Sequence, residues 1–178
     1  QIIDVSNLAS PMQKGAFTPP GTIGAYEVAL SSDGNTAYLA DGERGLQTLD
    51  VNDPENPTLI GTCDTPVFAD SVVLSVDGNT AYVGDWTGGL QVIDLSNPSN
   101  PILSRTLVTS GEVRGVALSA DGNTAYVTDG DSGLQIISLA QPDFSLATDA
   151  VSIEVTPVND DPTLDALSEV NINEDDSE

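Results

Sequence analysis

Asp33-Gly34-Asn35-Thr36-Ala37-Tyr38 returns as Asp77 to Tyr82 and again as Asp121 to Tyr126, 44 residues further on each time. Gly45-Leu46-Gln47 returns at the same offset as Gly89-Leu90-Gln91 and Gly133-Leu134-Gln135. Asn-Pro pairs (Asn56-Pro57, Asn97-Pro98, Asn100-Pro101) keep the same phase. Three markers holding one period define a structural repeat, so the fold is that of one unit multiplied.

Within the unit that begins near Asp70, four short runs read as strands: Asp70 to Ser75, Thr80 to Asp85, Gly89 to Leu95 and Pro101 to Val108. They are rich in β-branched and aliphatic residues and bounded by Gly, Pro, Asn and Asp. Asp77-Gly78 predicts a two-residue hairpin turn of type I′, in which both central residues take positive φ. No segment shows a sustained helical period. Four antiparallel strands in roughly 40–50 residues is the size of one blade of a β-propeller. Helical repeats would show a 3.6-residue period, and parallel coils would repeat sooner. Tyr38, Tyr82 and Tyr126 recur in phase and are expected to lie in the core between blades.

Gln1-Ile2-Ile3-Asp4-Val5-Ser6-Asn7, the run from Leu90 to Pro101 and Ala125-Tyr126-Val127 resemble the LVIVD repeat of bacterial and archaeal cell-surface proteins. The resemblance covers residues 1–140 and implies a β-propeller. The expected fold is all-β, a partial propeller of about three and a half four-stranded antiparallel blades on the 44-residue repeat. Residues 1 to about 20 supply two strands of one blade, 24–64 and 68–108 two full blades, and 112–140 three strands of another. Propellers need roughly four to eight blades to close, so further blades of a parent chain are expected as partners. Gln1 at the start, with Met12 the sole Met, fits a chain continued upstream.

After Ser138 the pattern decays. Residues 141–156 read as a degenerate last-blade strand and 157–178 as an acidic junction with the first strand of a further domain. Val158-Asn159-Asp160-Asp161-Pro162 and Val170-Asn171-Ile172-Asn173-Glu174-Asp175 resemble the junctions of cadherin-like tandem repeats in large bacterial surface proteins. The resemblance implies an extended cadherin-like linker, neighbouring cadherin-like domains and calcium at the junction. Transferred by position, Asn159, Asp160, Asp161 and Glu174 are the candidate ligands. Residues 157–178 hold eight carboxylates and no base, a supply of oxygen that hard cations use. The alternative is a solvated acidic linker.

The chain carries 28 acidic and 4 basic residues, a net charge of −24. No basic stripe exists to neutralise phosphates, which argues against nucleic acid. An anionic membrane surface is equally disfavoured, and no apolar stretch is long enough to span a bilayer. The single Cys63 precludes an internal disulfide, and the absence of His removes the commonest general base. No nucleophile is paired with a base at a recognisable spacing. The expected function is therefore a non-catalytic, extracellular or cell-surface module that binds a protein or glycan. The alternative is a fragment of a propeller enzyme (hydrolase, lyase or dehydrogenase type) with part of its active site on other blades.

Function in propellers tends to sit on the loops of one face. Here that face holds Asp41-Gly42-Glu43-Arg44, Asp85-Trp86-Thr87-Gly88 and Asp129-Gly130-Asp131-Ser132, with Arg114 nearby. The leading Asp of each turn is expected to accept backbone N–H bonds within its own turn; a ring of acids facing a cation is the alternative. Trp86 stands where the flanking units have Gly42 and Gly130, and is either a ligand-stacking platform or packing. Arg44 and Arg114 either pair with local acids or hold an anionic ligand. Asp131 forms a loose Asp-x-Asp with Asp129 but lacks the long loop and terminal Glu of an EF-hand. The candidate ligand-binding residues are thus Trp86, Asp85, Arg44, Arg114 and Asp131.

Overall fold

The computed structural model describes residues 1–19 and 24–139. All belong to one compact unit, Gln1–Ser145. The expected last-blade strand at 141–156 and the acidic junction at 157–178 lie outside the described residues.

Thirteen strands form four antiparallel sheets among the described residues. β1 (Ile2–Asp4) and β2 (Met12–Gly15) make a half-blade. Blade 1 is β3 (Glu27–Leu30), β4 (Thr36–Ala40), β5 (Leu46–Asp50) and β6 (Thr58–Cys63). Blade 2 is β7 (Ser71–Leu74), β8 (Thr80–Gly84), β9 (Leu90–Asp94) and β10 (Ile102–Leu107). Blade 3 is β11 (Val113–Leu118), β12 (Thr124–Asp129) and β13 (Leu134–Ser138). Each sheet is a plain meander in which every strand pairs with its sequence neighbour. The one helical turn among the described residues is a 3-10 turn at Gly130–Ser132.

Blade faces follow from the two-residue period of a strand. On β8, Ala81 and Val83 point to blade 1, and Tyr82 points to blade 3. The seam between blades 1 and 2 gathers Tyr38, Leu46, Val72, Val83 and Ile93; the next gathers Tyr82, Leu90, Val113, Ala125 and Val127. A sheet buried on both faces needs apolar residues at successive positions, hence Leu-Gln-Val-Ile and Ala-Tyr-Val in each unit. Burying each Leu or Ile contributes about 1.5–3 kcal/mol, so the seams hold the fold together. We call the face toward the following blade the front and the other the back.

Tyr38 and Tyr82 are buried at these fronts, but Tyr126 is 39% exposed. The expectation of a core role fails there because no described sheet covers the front of blade 3. At the other end, an open apolar cavity of about 470 Å³ lies on the back of blade 1, lined by Ile2, Phe17, Val28, Leu30, Leu39 and Leu49. It occupies the place that an inner pair of strands fills in the complete blades.

The hairpin expectation also needs correcting. Gly78 N donates to Ser75 O at 2.9 Å and Ser75 N to Thr80 O at 2.8 Å, so the loop has four residues. Only Gly78 takes positive φ (74°); Asp77 does not. Asp77 instead accepts from the Ser75 hydroxyl (2.5 Å) and from Asn79 through backbone (3.1 Å) and amide (3.2 Å). The Ser75 hydroxyl in turn accepts from Thr80 N at 3.0 Å. Ser-x-Asp-Gly-Asn-Thr is thus a self-contained clasp, repeated at Ser31–Thr36 and Ser119–Thr124. The hydroxyl and backbone donors hold Asp33, Asp77 and Asp121 below the usual carboxylate value.

Candidate functional site

The connections between second and third strands share one face with the inter-blade segments. Asp85 and Asp129 open two of these connections and are buried there. The expectation that each carboxylate serves its own turn fails for these two, whose partners lie mainly in the incoming inter-blade segments. Asp85 accepts from the Thr65 hydroxyl (2.8 Å), Val67 N (3.0 Å) and Gln91 Nε2 (3.3 Å). Asp129 accepts from the Thr109 hydroxyl (2.6 Å) and Gly111 N (3.2 Å). Each acid thus ties its blade to the segment that leads into that blade. Burial pushes Asp85 above the ordinary Asp value, while its hydrogen bonds from Thr65, Val67, Phe68 and Gln91 oppose the rise. Asp41 takes a different partner, the Arg44 guanidinium at 3.0 Å within its own turn.

The residue after each acid bends left-handed: Gly42 at φ 58°, Trp86 at 48° and Gly130 at 52°. The first two form backbone bridges to the next blade. Gly42 exchanges two hydrogen bonds with Ala69, and Trp86 two with Val113. Glycine meets the dihedral without a Cβ penalty. Trp86 is the one non-glycine with positive φ among the described residues, at a cost of about 1–2 kcal/mol. Strain of this kind persists where the surroundings over-determine it and clusters at ligand sites.

Those surroundings form an aromatic strip. Phe68 stacks on Trp86 with centroids 4.7 Å apart, and Tyr26 meets Phe68 edge-on at 4.9 Å. The Arg114 guanidinium lies 5.2 Å from the Trp86 ring centre, in cation–π range. Arg114 is also paired with Glu112 at 2.6 Å. The strip therefore draws on all three blades. Its two ends, Tyr26 and Arg114, are exposed, whereas Trp86 is only part-exposed.

The structure thus brings Trp86 and Arg114 together and places Asp85 beside them as a buried anchor. Arg44 is held by Asp41, and Asp131 is exposed in the 3-10 turn of blade 3. No hydrogen bond or ion pair joins Asp131 to the strip among the described residues. Asn159, Asp160, Asp161 and Glu174 lie outside the described residues. Sequence reasoning missed Tyr26 and Phe68. Phe68 occupies the repeat position of Gly24 and Glu112, the same kind of departure from its neighbours that singled out Trp86.

Comparison with known proteins agrees with the blade count. No match was found among curated proteins. Among solved structures, the chain resembles the periplasmic gluconolactonase of Pseudomonas aeruginosa, with 22% identity, TM-score 0.65, and coverage of 75% of this chain and 41% of that one. A Bacteroides fragilis protein assigned as a 6-phosphogluconolactonase gives 19% identity, TM-score 0.58 and coverage of 63% and 34%. The Kuenenia stuttgartiensis hydrazine synthase gives 19%, 0.57, and 70% and 36%. The chain spans well under half the length of each. At such identities the likeness establishes the propeller-type fold and nothing about chemistry. The LVIVD repeat model matches residues 1–18, 25–65, 69–109 and 110–142, which is most of the chain. The chain belongs to the LVIVD repeat family.

Proposed function

We propose that this chain is a non-catalytic binding module of an extracellular, bacterial-type surface protein. Its recognition surface is the strip Tyr26–Phe68–Trp86–Arg114, which takes a protein or carbohydrate ligand. The observation that carries the proposal is Trp86 at φ 48° in a position where the neighbouring repeats have glycine. A bulky residue strained for folding alone would be replaced by glycine at no cost to the turn. The buried acids of the same face are consumed in anchoring loops, which supports binding rather than acid–base work.

Trp86 is the sole tryptophan, so its fluorescence reports the site directly. Titration with an oligosaccharide panel and with surface-protein extracts should change its emission. Trp86→Gly should lower affinity for the responding ligand at least about tenfold, equivalent to about 1.4 kcal/mol. Its melting temperature should fall by a few degrees with the fold intact by circular dichroism, because relief of about 1–2 kcal/mol of strain only partly offsets the lost stacking and buried ring surface. Full binding by the glycine variant would remove the strip from the site. Calcium at Asn159, Asp160, Asp161 and Glu174 belongs to the same proposal; a calorimetric calcium titration unchanged by Asp160→Asn with Asp161→Asn would count against it.

One observation favours a second reading. Two of the solved relatives carry lactonase names, so the chain is alternatively part of a propeller enzyme whose active site is completed by other blades. Hydrolysis of gluconolactone above the buffer rate, abolished by substitution on the loop face, would decide for it.

A further inference from the structure

We propose that Asp85 is the positioning residue of the recognition strip, its buried carboxylate setting the angle and spacing at which Phe68 and Trp86 stack. The inference rests on the reading of that strip as a binding surface. Asp85 is fully buried and directly precedes Trp86 in the chain. Its Oδ1 accepts from the Thr65 hydroxyl at 2.8 Å, and its Oδ2 accepts at 3.0 Å from the N–H of Val67, the residue before Phe68. One carboxylate therefore fastens together the two segments that carry the rings, whose centroids lie 4.7 Å apart at an interplanar angle of 30°. The carboxylate is itself oriented from behind. Gln91 Nε2 donates to Oδ2 at 3.3 Å and to the Gly88 carbonyl at 2.7 Å, and Gln91 Oε1 accepts from the Thr106 hydroxyl at 2.5 Å. A buried polar network with its members satisfied holds one geometry, and a recognition surface depends on such support beneath the groups that meet the ligand.

The flanking repeats lack this arrangement. Gln47 and Gln135 donate to the matching carbonyls of Arg44 and Ser132, and no hydrogen bond joins them to Asp41 or Asp129 among the described residues. Gly88 stands where those units have Arg44 and Ser132. A Cβ on Gly88 would overlap Asp85 Oδ2, so the glycine leaves room for the carboxylate to reach the incoming segment. The glycine, the glutamine–carboxylate bond and the stacked rings thus coincide in one blade, the blade whose Trp86 is held at φ 48°. A left-handed tryptophan persists where its surroundings over-determine it, and this network holds the segment bearing Phe68, the ring against which it lies.

Near-UV circular dichroism and acrylamide quenching of Trp86, the sole tryptophan of the 178-residue chain, test this in the absence of ligand, so its failure is distinct from failure of the strip to bind. Gly88→Ala displaces the carboxylate and Thr65→Val cuts one of its ties, and neither alters a ring. Both should lose much of the tryptophan near-UV signal, which requires fixed packing. Their quenching constants should at least double, with far-UV spectra unchanged. Asp85→Asn should keep the wild-type signal, because its amide can turn to offer oxygen to Val67 N and donate to the Thr65 hydroxyl. Asp77→Ala removes the clasp at the opposite end of the same blade and should also leave the signal unchanged. Wild-type values in both Gly88→Ala and Thr65→Val overturn the proposal, because packing alone would then hold the rings. An equal loss in Asp77→Ala also overturns it, because the signal would then report a general loosening of the blade.

Discussion

Gly89→Ala is expected to destabilise the chain by about 2–4 kcal/mol, combining a left-handed dihedral with overpacking, and to lower its melting temperature by roughly 5–15 °C. Gly89 sits at φ 82° where the turn delivers the chain into β9. Its carbonyl accepts from Asp85 N and its N–H donates to Trp86 O. A Cβ here would lie 2.1 Å from the Leu107 carbonyl oxygen and 3.0 Å from Val108 Cα. Both obstacles are backbone, so relief requires β10 to move away from β9. Gly78→Ala is the internal control. It has a similar φ of 74°, but nothing lies within 4 Å of its Cβ position, so it should lose only about 1 kcal/mol. Thermal melts of the two variants separate dihedral cost from close approach. Equal losses would mean that β10 yields freely, and that the fit between third and fourth strands is not a stability determinant.

Asp85→Ala should cost about 3 kcal/mol, because removing one acceptor strands several donors. Gln91 is fully buried, and its amide nitrogen would keep only the Gly88 carbonyl at 2.7 Å. The Thr65 hydroxyl and Val67 N would lose their carboxylate, and with it the tie between blade 2 and its incoming segment. The loss should also depend on pH with a defined sign. Burial raises Asp85 above its ordinary value of 3.8, so protonation favours the folded state. That part of its stabilisation is complete below the unfolded value and is lost as pH rises through the raised one. The gap between wild type and Asp85→Ala should therefore be wider in acid than at neutral pH. Denaturant melts of both proteins at matched pH values measure it. A gap that widens as pH rises would mean that the hydrogen bonds outweigh desolvation at this carboxylate.

The sequence made the repeat, the strands and the blade boundaries legible because all three depend on local period and turn residues. The β7 to β10 limits fall within about one residue of those read from Asp70 to Val108, as expected for strongly patterned segments. Burial at Tyr126 was not legible, because it depends on what stands opposite and not on the strand itself. The hairpin type was missed because Asp-Gly suits two loops; Ser75 and Asn79, on either side, select the longer one. The role of Asp85 was hidden for a different reason. Its partners Thr65 and Val67 lie about 20 residues upstream, beyond any turn-level reading. Trp86 stood out by its departure from the repeat, and the same comparison applied to Phe68 would have exposed the strip.

The paired backbone bonds that join Gly42 to Ala69 and Trp86 to Val113 use no side-chain chemistry. A join of this sort is indifferent to which copy of the unit lies on either side. Unequal crossing-over between repeats would then splice blades in register and leave every weld intact. Blade number can change over evolutionary time in whole 44-residue steps, while the loops beside each weld diverge independently.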